Sequence, residues 1–384
     1  MKKINTEKLT GIIFFIVLLL VFVLNLVLPD KNFSEEENRI LQQKPDFSLS
    51  AYGEGRYEEK KERYVNDQFI LRNSLIKVKT AFDLTIGKVE SNGVYKCDDH
   101  YLIEEIQKPD KDYMVSTIEG LGAFKESYPS MRMYFMMAPN AGNILSDKLP
   151  AGVKMTDQDK IIKNFYKAIE ARGYQPVDVS KVLKKNKDGK NNLYYRTDHH
   201  WTTDGAYLAY EEAVKVMNLP DPVDYHPYVV KNDFRGTLAS KSGFVNGMND
   251  SIKLYMPEKT KEYRNSVIYY SDTKKKTTEF YQLENLETKD AYTVFGGSNH
   301  PVYTIKTPVK NRRKLLLFKD SYANSMLPFL SQNYREIVVV DPRYYFESID
   351  DIIEAEGITD ALFLYNANTF FSDNSLATML NSHH

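Results

Sequence analysis

The sequence predicts an α/β protein, a largely parallel sheet flanked by helices, standing behind an N-terminal transmembrane helix. Three observations carry this reading. Leu9 to Leu28 is almost unbroken apolar sequence; from residue 111 onward helical patterns alternate with short apolar runs; and two of the polar clusters between them, Asp198-His199-His200-Trp201 and Lys319-Asp320-Ser321-Tyr322, carry the residue types of a hydrolase site. Alternating helices and short apolar strands are the pattern of a sheet built from βα units.

The 384 residues suffice for one large domain or a domain with a sizeable insertion. With 51 basic and 52 acidic side chains the net charge is -1, which gives no sign of a nucleic-acid or polyanion binder. Cys97 is the single cysteine, so an intramolecular disulfide and a CxxC metal or redox site are both excluded. The 28 tyrosines and 20 phenylalanines fit either an aromatic core or a sugar-stacking surface.

An apolar helix of about 20 residues matches the hydrocarbon thickness of a bilayer. Lys2, Lys3 and Lys8 precede this one and Pro29-Asp30 follows it, so the positive-inside rule leaves the N-terminus in the cytoplasm and the rest outside. No small-x-small cleavage site closes the segment, which favours an uncleaved signal anchor. The expectation is a single-pass cell-membrane protein with its chemistry on the extracytoplasmic side, and residues 1–29 are assigned to the cytoplasmic stub and anchor.

Residues 30–110 read as a juxtamembrane connector followed by helices and short strands packed on the main domain. Ser34 caps a predicted helical turn over Glu35 to Arg39; one or two helices are expected between Gly53 and Leu84; short strands follow at Ser91–Tyr95 and His100–Ile103. The main domain, 111–384, opens with a helix over Tyr113–Tyr128 and the strand Met131–Ala138. Its loop places Asn140 and Asn143 where substrates meet an open α/β sheet. A helix over Asp157–Arg172 leads to the run Gln175–Val179.

Thr203 and Asp204 are natural caps for the helix beginning at Gly205, which puts Asp198 and His200 on the loop just before it. Three readings fit that cluster. In one, Asp198 orients an imidazole that takes a proton from a serine. In another, Asp198, His199 and His200, with Asp204 or His226, hold a divalent metal, though adjacent histidines in an extended loop are expected to point to opposite sides. In the last, the cluster is a hydrogen-bonded knot under Trp201.

From about 220 to 313 helical periodicity gives way to turns and short strands at Phe234–Leu238, Ser242–Val245, Ser266–Tyr270 and Tyr292–Phe295, read as a β-rich, substrate-facing insertion. The apolar strand Lys314–Phe318 then runs into Asp320-Ser321 and a helix. A serine at a strand-to-helix turn has the placement of a nucleophile elbow, although Gly-x-Ser-x-Gly is absent and simple helix capping is the alternative. Two further strands end at Asp341-Pro342-Arg343 and Asn366-Ala367-Asn368, on the same sheet edge. Asn366 or Asn368 is placed to assist an oxyanion, and Arg343 to fix a substrate or a neighbouring carboxylate.

Asp198-His199-His200-Trp201, Lys319-Asp320-Ser321-Tyr322, Asp341-Pro342-Arg343-Tyr344 and Glu37-Asn38-Arg39, in that composition and order, resemble the bacterial DHHW protein family. More distantly the chain resembles the SGNH-hydrolase-like proteins that O-acetylate alginate and other exported polysaccharides. The resemblance implies a permuted SGNH-type fold with Asp198 as orienter, His200 as base, Ser321 as nucleophile and Asn366 in the block that supplies an oxyanion asparagine. Asn140, Arg343, His199 and Trp201 complete the expected substrate side; no metal and no cofactor is expected. It further implies a cell-surface polysaccharide as substrate and a membrane-bound O-acyltransferase partner as acyl donor. His199 and the missing Gly-x-Ser turn depart from the acetyltransferase pattern. The competing class is a non-catalytic glycan-binding or scaffold protein of an envelope assembly.

Overall fold

The structure, a computed structural model, describes residues 6–34, 39–53, 55–244, 247–258 and 265–381. The chain divides into two compact units, Met1–Ser91 with Ser240–Phe244, and Asn92–Ala239 with Val245–His384.

In the first unit the helix Thr6–Val27 is apolar on every face and spans about 33 Å at the α-helical rise, enough to cross a bilayer. Its polar interruption, Asn25, donates to the Val21 carbonyl at 2.8 Å and accepts from the Ile70 N–H at 2.9 Å. Two helices, Arg56–Gln68 and Arg72–Thr85, occupy the stretch where one or two were expected. Ser34, expected as a cap, lies in a two-residue strand that pairs with Arg39–Ile40, and residues 35–38 of the turn it was expected to cap lie outside the described residues. Glu37 and Asn38 of the Glu-Asn-Arg motif lie outside the described residues.

The second unit is built on an eight-stranded mixed sheet. In chain order its strands are β1 (Arg132–Ala138), β2 (Gln175–Pro176), β3 (Val267–Tyr270), β4 (Lys276–Thr277), β5 (Val302–Lys306), β6 (Lys314–Lys319), β7 (Glu336–Val340) and β8 (Asp360–Asn366). Their spatial order is β4-β3-β5-β7-β6-β8-β1-β2. From β7 to β2 all neighbours are parallel, while β5, β3 and β4 add antiparallel strands at the β7 side. Strands of the 220–313 stretch therefore extend the sheet itself. The same stretch also forms an antiparallel hairpin, Tyr225–Phe234 with Asp250–Pro257.

Strand β6 lies at the centre and is apolar on both faces. Leu315 and Leu317 join one core with Trp201, Tyr210 and Tyr322; Leu316 and Phe318 join the other with Phe135, Phe165 and Phe363. The two-residue side-chain alternation puts Lys319 on the first of these faces. Most tyrosines of the second unit are buried, so much of the aromatic excess is core.

Three predicted strands take other forms. Phe234 ends its strand and Thr237–Ser242 is a short helix; Ala291–Val294 is a 3₁₀ turn; Val245 lies outside the described residues. Periodicity over four residues does not separate a strand from a helical turn, and tertiary contacts decide.

Candidate active site

The Asp-His-His stretch is the tip of a tight hairpin. Tyr194 and Trp201 pair across it, and the Thr202 N–H donates to the Leu193 carbonyl at 2.9 Å. Thr202, rather than Thr203 or Asp204, caps the following helix by accepting from the Gly205 N–H at 3.2 Å. Gly205 is needed there: a Cβ would sit 2.4 Å from the Leu193 carbonyl oxygen. Asp204 instead meets Lys253 at 3.0 Å and Tyr255 at 2.8 Å on the neighbouring hairpin. Asp250 of that hairpin takes the N–H groups of Arg196 and Thr197, both at 2.8 Å, and fixes the tip from below.

Ser321 follows β6 directly. Asp320, not Ser321, caps the 3₁₀ turn Ser321–Ser325: its carboxylate accepts from the Tyr322 N–H at 2.9 Å and from the Asn366 N–H at 2.7 Å. The Ser321 hydroxyl is thereby left for other work. It lies 2.8 Å from His200 Nε2, and His200 Nδ1 lies 2.6 Å from Asp198 Oδ1. The far oxygen of Asp198 accepts from the Thr237 N–H at 2.8 Å and its hydroxyl at 3.0 Å. With Nδ1–H held by the carboxylate, His200 presents an unprotonated Nε2 to the serine, the tautomer a general base needs.

Trp201 is fully buried and donates from Nε1 to the Tyr322 carbonyl and the Ser325 hydroxyl, both at 3.0 Å. It pins the histidine loop to the serine turn and offers no face to a substrate, contrary to its expected place on the substrate side. Tyr292 lies flat on the His200 ring, centroids 3.7 Å apart, while its hydroxyl donates to the Ser321 carbonyl at 3.2 Å. His199 and His200 do not point to opposite sides: their rings stand 3.9 Å apart because the hairpin tip turns. His199 Nδ1 is 2.8 Å from the Thr237 hydroxyl, and its carbonyl accepts from the Tyr322 hydroxyl.

The structure places the remaining expected residues in supporting contacts. Asn140 and Asn366 hydrogen-bond each other at 3.2 Å within a buried amide cluster containing Gln158 and Asn368; Asn366 Oδ1 caps the next helix, and its amide nitrogen faces the Ala138 carbonyl. Asn143 donates to Asp159. Arg343 grips Asp341 with two nitrogens, at 2.9 and 2.6 Å. Asp341 also lies 3.6 Å from the buried ammonium of Lys319, which donates to Asn324 Oδ1 at 2.9 Å. Lys319 stands in a motif the sequence singles out but carries no expected role there; Tyr292, Thr237, Asp250 and Asn324 have no signal as site residues in the sequence, and only the fold brings them here. A groove of about 690 Å³ along Val267, Tyr269, Val302 and Tyr345 includes none of Asp198, His200 or Ser321.

Burial raises the cost of ionising Asp198, but the two imidazoles, the His200 hydrogen bond and the Thr237 N–H outweigh it and hold the carboxyl well below the usual carboxylate range. Burial, then the like charge of His199, lowers the His200 pKa to about 4. A base must be neutral to accept a proton, so lowering its pKa extends the active range toward acid. We expect the acid limb of kcat/KM for an activated ester near pH 4 rather than near the ordinary imidazole value of about 6.5. His199→Ala removes one cause of the depression and should move the limb upward. A wild-type limb at the ordinary value would contradict this electrostatic account.

Ligand atoms of Asp198, His199 and His200 lie within 4.8 Å of one another, close enough for one divalent ion to reach all three. Here Asp198 and His200 use those atoms for the line to Ser321, and a shared ion would have to displace the 2.6 Å contact between them.

A mixed sheet whose parallel strands carry the serine after β6, with an Asp/His pair brought to it, is the arrangement of an α/β serine-hydrolase type of fold, and similarity to known domains makes it SGNH hydrolase-like. Residues 130–274 match the family model of the SGNH hydrolase-like domain of the acetyltransferase AlgX. Among solved structures the chain is similar to a DHHW family protein from Eubacterium siraeum, at 26% identity and TM-score 0.63 over 77% of this chain and 96% of that one. It is similar in fold to PatB1 of Bacillus cereus, solved with a sulfonyl adduct, at 20% identity and TM-score 0.61 over 73% and 98%. No curated protein matches. The resemblance to DHHW and SGNH hydrolase-like proteins read from the motifs thus stands.

Proposed function

We propose that this protein is a membrane-anchored, extracytoplasmic serine O-acyltransferase or esterase acting on acetyl groups of a cell-surface polysaccharide. The observation that carries the reading is the hydrogen-bonded line Asp198–His200–Ser321, at 2.6 and 2.8 Å, on the carboxyl edge of the sheet. The acetyltransferase description of the matching domain supports the choice of acyl group, and the Thr6–Val27 helix supports the anchor.

In the first half-reaction Ser321 Oγ attacks the acyl carbon and its proton passes to His200 Nε2. Collapse of the tetrahedral intermediate breaks the bond to the leaving oxygen, which takes that proton, and leaves acetyl-Ser321. In the second, His200 takes the proton of a sugar hydroxyl or water as its oxygen attacks the acetyl carbon; collapse breaks the bond to Ser321 Oγ, and Oγ takes that proton from His200. Asp198 stays ionised and holds the ring. Transfer to a glycan outside the cell needs an acetyl donor there, and a membrane-bound O-acyltransferase is the partner that fits.

The test uses the full chain in detergent with para-nitrophenyl acetate, alone and with an O-deacetylated envelope polysaccharide. Release of nitrophenol, with an acetyl adduct found on the Ser321 peptide by mass spectrometry, is expected. Absence of both overturns the reading. The proximity of Asp198, His199 and His200 favours one alternative, a metal site, and a stoichiometric zinc or manganese content in the purified protein would establish it instead.

A further inference from the structure

We propose that the side-chain donor to the acyl oxygen is Asn324, with the buried ammonium of Lys319 acting through it as a positioning residue. The inference rests on the reading of Ser321 as nucleophile and replaces the sequence expectation of Asn366.

Residues Ser321–Ser325 form a 3₁₀ turn, in which side chains three apart eclipse one another. Ser321 and Asn324 therefore project from one side of the same turn. The Asn324 amide is not free to rotate: Lys319 Nζ, which can only donate, lies 2.9 Å from Oδ1. That contact settles which end is oxygen and leaves the amide nitrogen with no acceptor among the described residues. Asn366, by contrast, spends its oxygen on a helix cap and aims its nitrogen at the Ala138 carbonyl.

Lys319 is an expensive residue to bury, and the carboxylates around it offset part of that cost. Asp341 lies 3.6 Å away and is shared with Arg343, whose guanidinium grips it, while Asp320 is the chain neighbour. Two cations thus meet two anions, although burial lowers the Lys319 pKa. A buried amine is not needed to close a turn that Asp320 already caps. A positive charge on the carbonyl side of an amide polarises its N–H bonds and strengthens them as donors. When the Ser321 Oγ–carbon bond forms, the carbonyl π electrons move onto oxygen while the Oγ proton goes to His200. The new charge then meets the Asn324 amide and the backbone N–H that opens the turn.

The test measures acylation by para-nitrophenyl acetate in the full chain. Asn324→Ala and Asn324→Asp should each lower the acylation rate about a hundredfold, with KM little changed. The aspartate variant keeps the shape and an oxygen toward Lys319, so it separates a lost donor from a lost fold, and melting temperatures check both. Lys319→Met should slow the wild type yet cost nothing further in the Asn324→Ala background, a non-additivity that a purely structural lysine would not give. Asn324 variants turning over at close to the wild-type rate would overturn the assignment, and additive effects would overturn the role of Lys319. A wild type without Ser321-dependent turnover would overturn the nucleophile itself and this donor with it.

Discussion

Ser321→Ala should lower turnover of an activated acetyl ester by at least about a thousandfold, to the level left by binding and oxyanion contacts alone. The fold should hardly notice. The Ser321 side chain contributes the contact to His200 at 2.8 Å, whereas the turn it opens is capped by Asp320 and its flank is pinned by Trp201. Removing the hydroxyl leaves His200 Nε2 facing a half-buried position that water can fill, so the melting temperature should stay within a few degrees. Intact stability with lost turnover and a lost acetyl adduct identifies the nucleophile. Comparable turnover in the variant would show that the ester is cleaved elsewhere.

Parts of this site are legible in the sequence because they are local. The run Lys314–Phe318 is apolar at every position after the lysine, as a central strand covered on both faces must be, and the serine follows within three residues. Asp198 and His200 are two apart, so one loop can join them. Other parts depend on contacts between distant segments. Thr237 reaches Asp198 across 39 positions, and Asp250 reaches Thr197 across 53. Tyr292 lies on His200 from a turn that precedes β5, a strand held in the sheet by β7. Nothing in the pattern of Val302–Lys306 says that it will join the main sheet rather than stand apart in the insertion, since pairing partners leave no mark on the periodicity of a five-residue strand. Asn366 misleads for a related reason: its place at the end of a strand is right for chemistry, yet the same place makes it a helix cap. A residue type at the correct edge fixes where a group stands, and only its hydrogen bonds fix where the group points.

Asp198→Asn should cost about ten-thousandfold in kcat, because no orientation of the amide satisfies all of its neighbours. In the wild type one carboxylate oxygen accepts from the His200 N–H and Nδ1, the other from the Thr237 N–H and hydroxyl. If the amide nitrogen faces His200, Nδ1 must become the acceptor and the proton moves to Nε2, where the ring can no longer deprotonate Ser321. If it faces Thr237, two N–H groups confront each other in a buried place, at about 1 to 3 kcal/mol of stability. In the first outcome the buried His200 N–H loses its acceptor and the ring loses the tautomer of a base, which is the source of the loss of about ten-thousandfold. In the second the Thr237 N–H loses its acceptor while the tautomer survives, so turnover rather than a melting curve tells them apart. Gly236→Ala reaches the same carboxylate from outside: the new Cβ would stand 2.3 Å from Asp198 Cβ and Oδ2, so the loop or the aspartate must move. That variant should also lose most activity although it removes no functional group, and its remaining turnover should report how far Asp198 has been displaced. Near-normal kcat in both variants would deny Asp198 its role as orienter and leave His200 to work without a held tautomer.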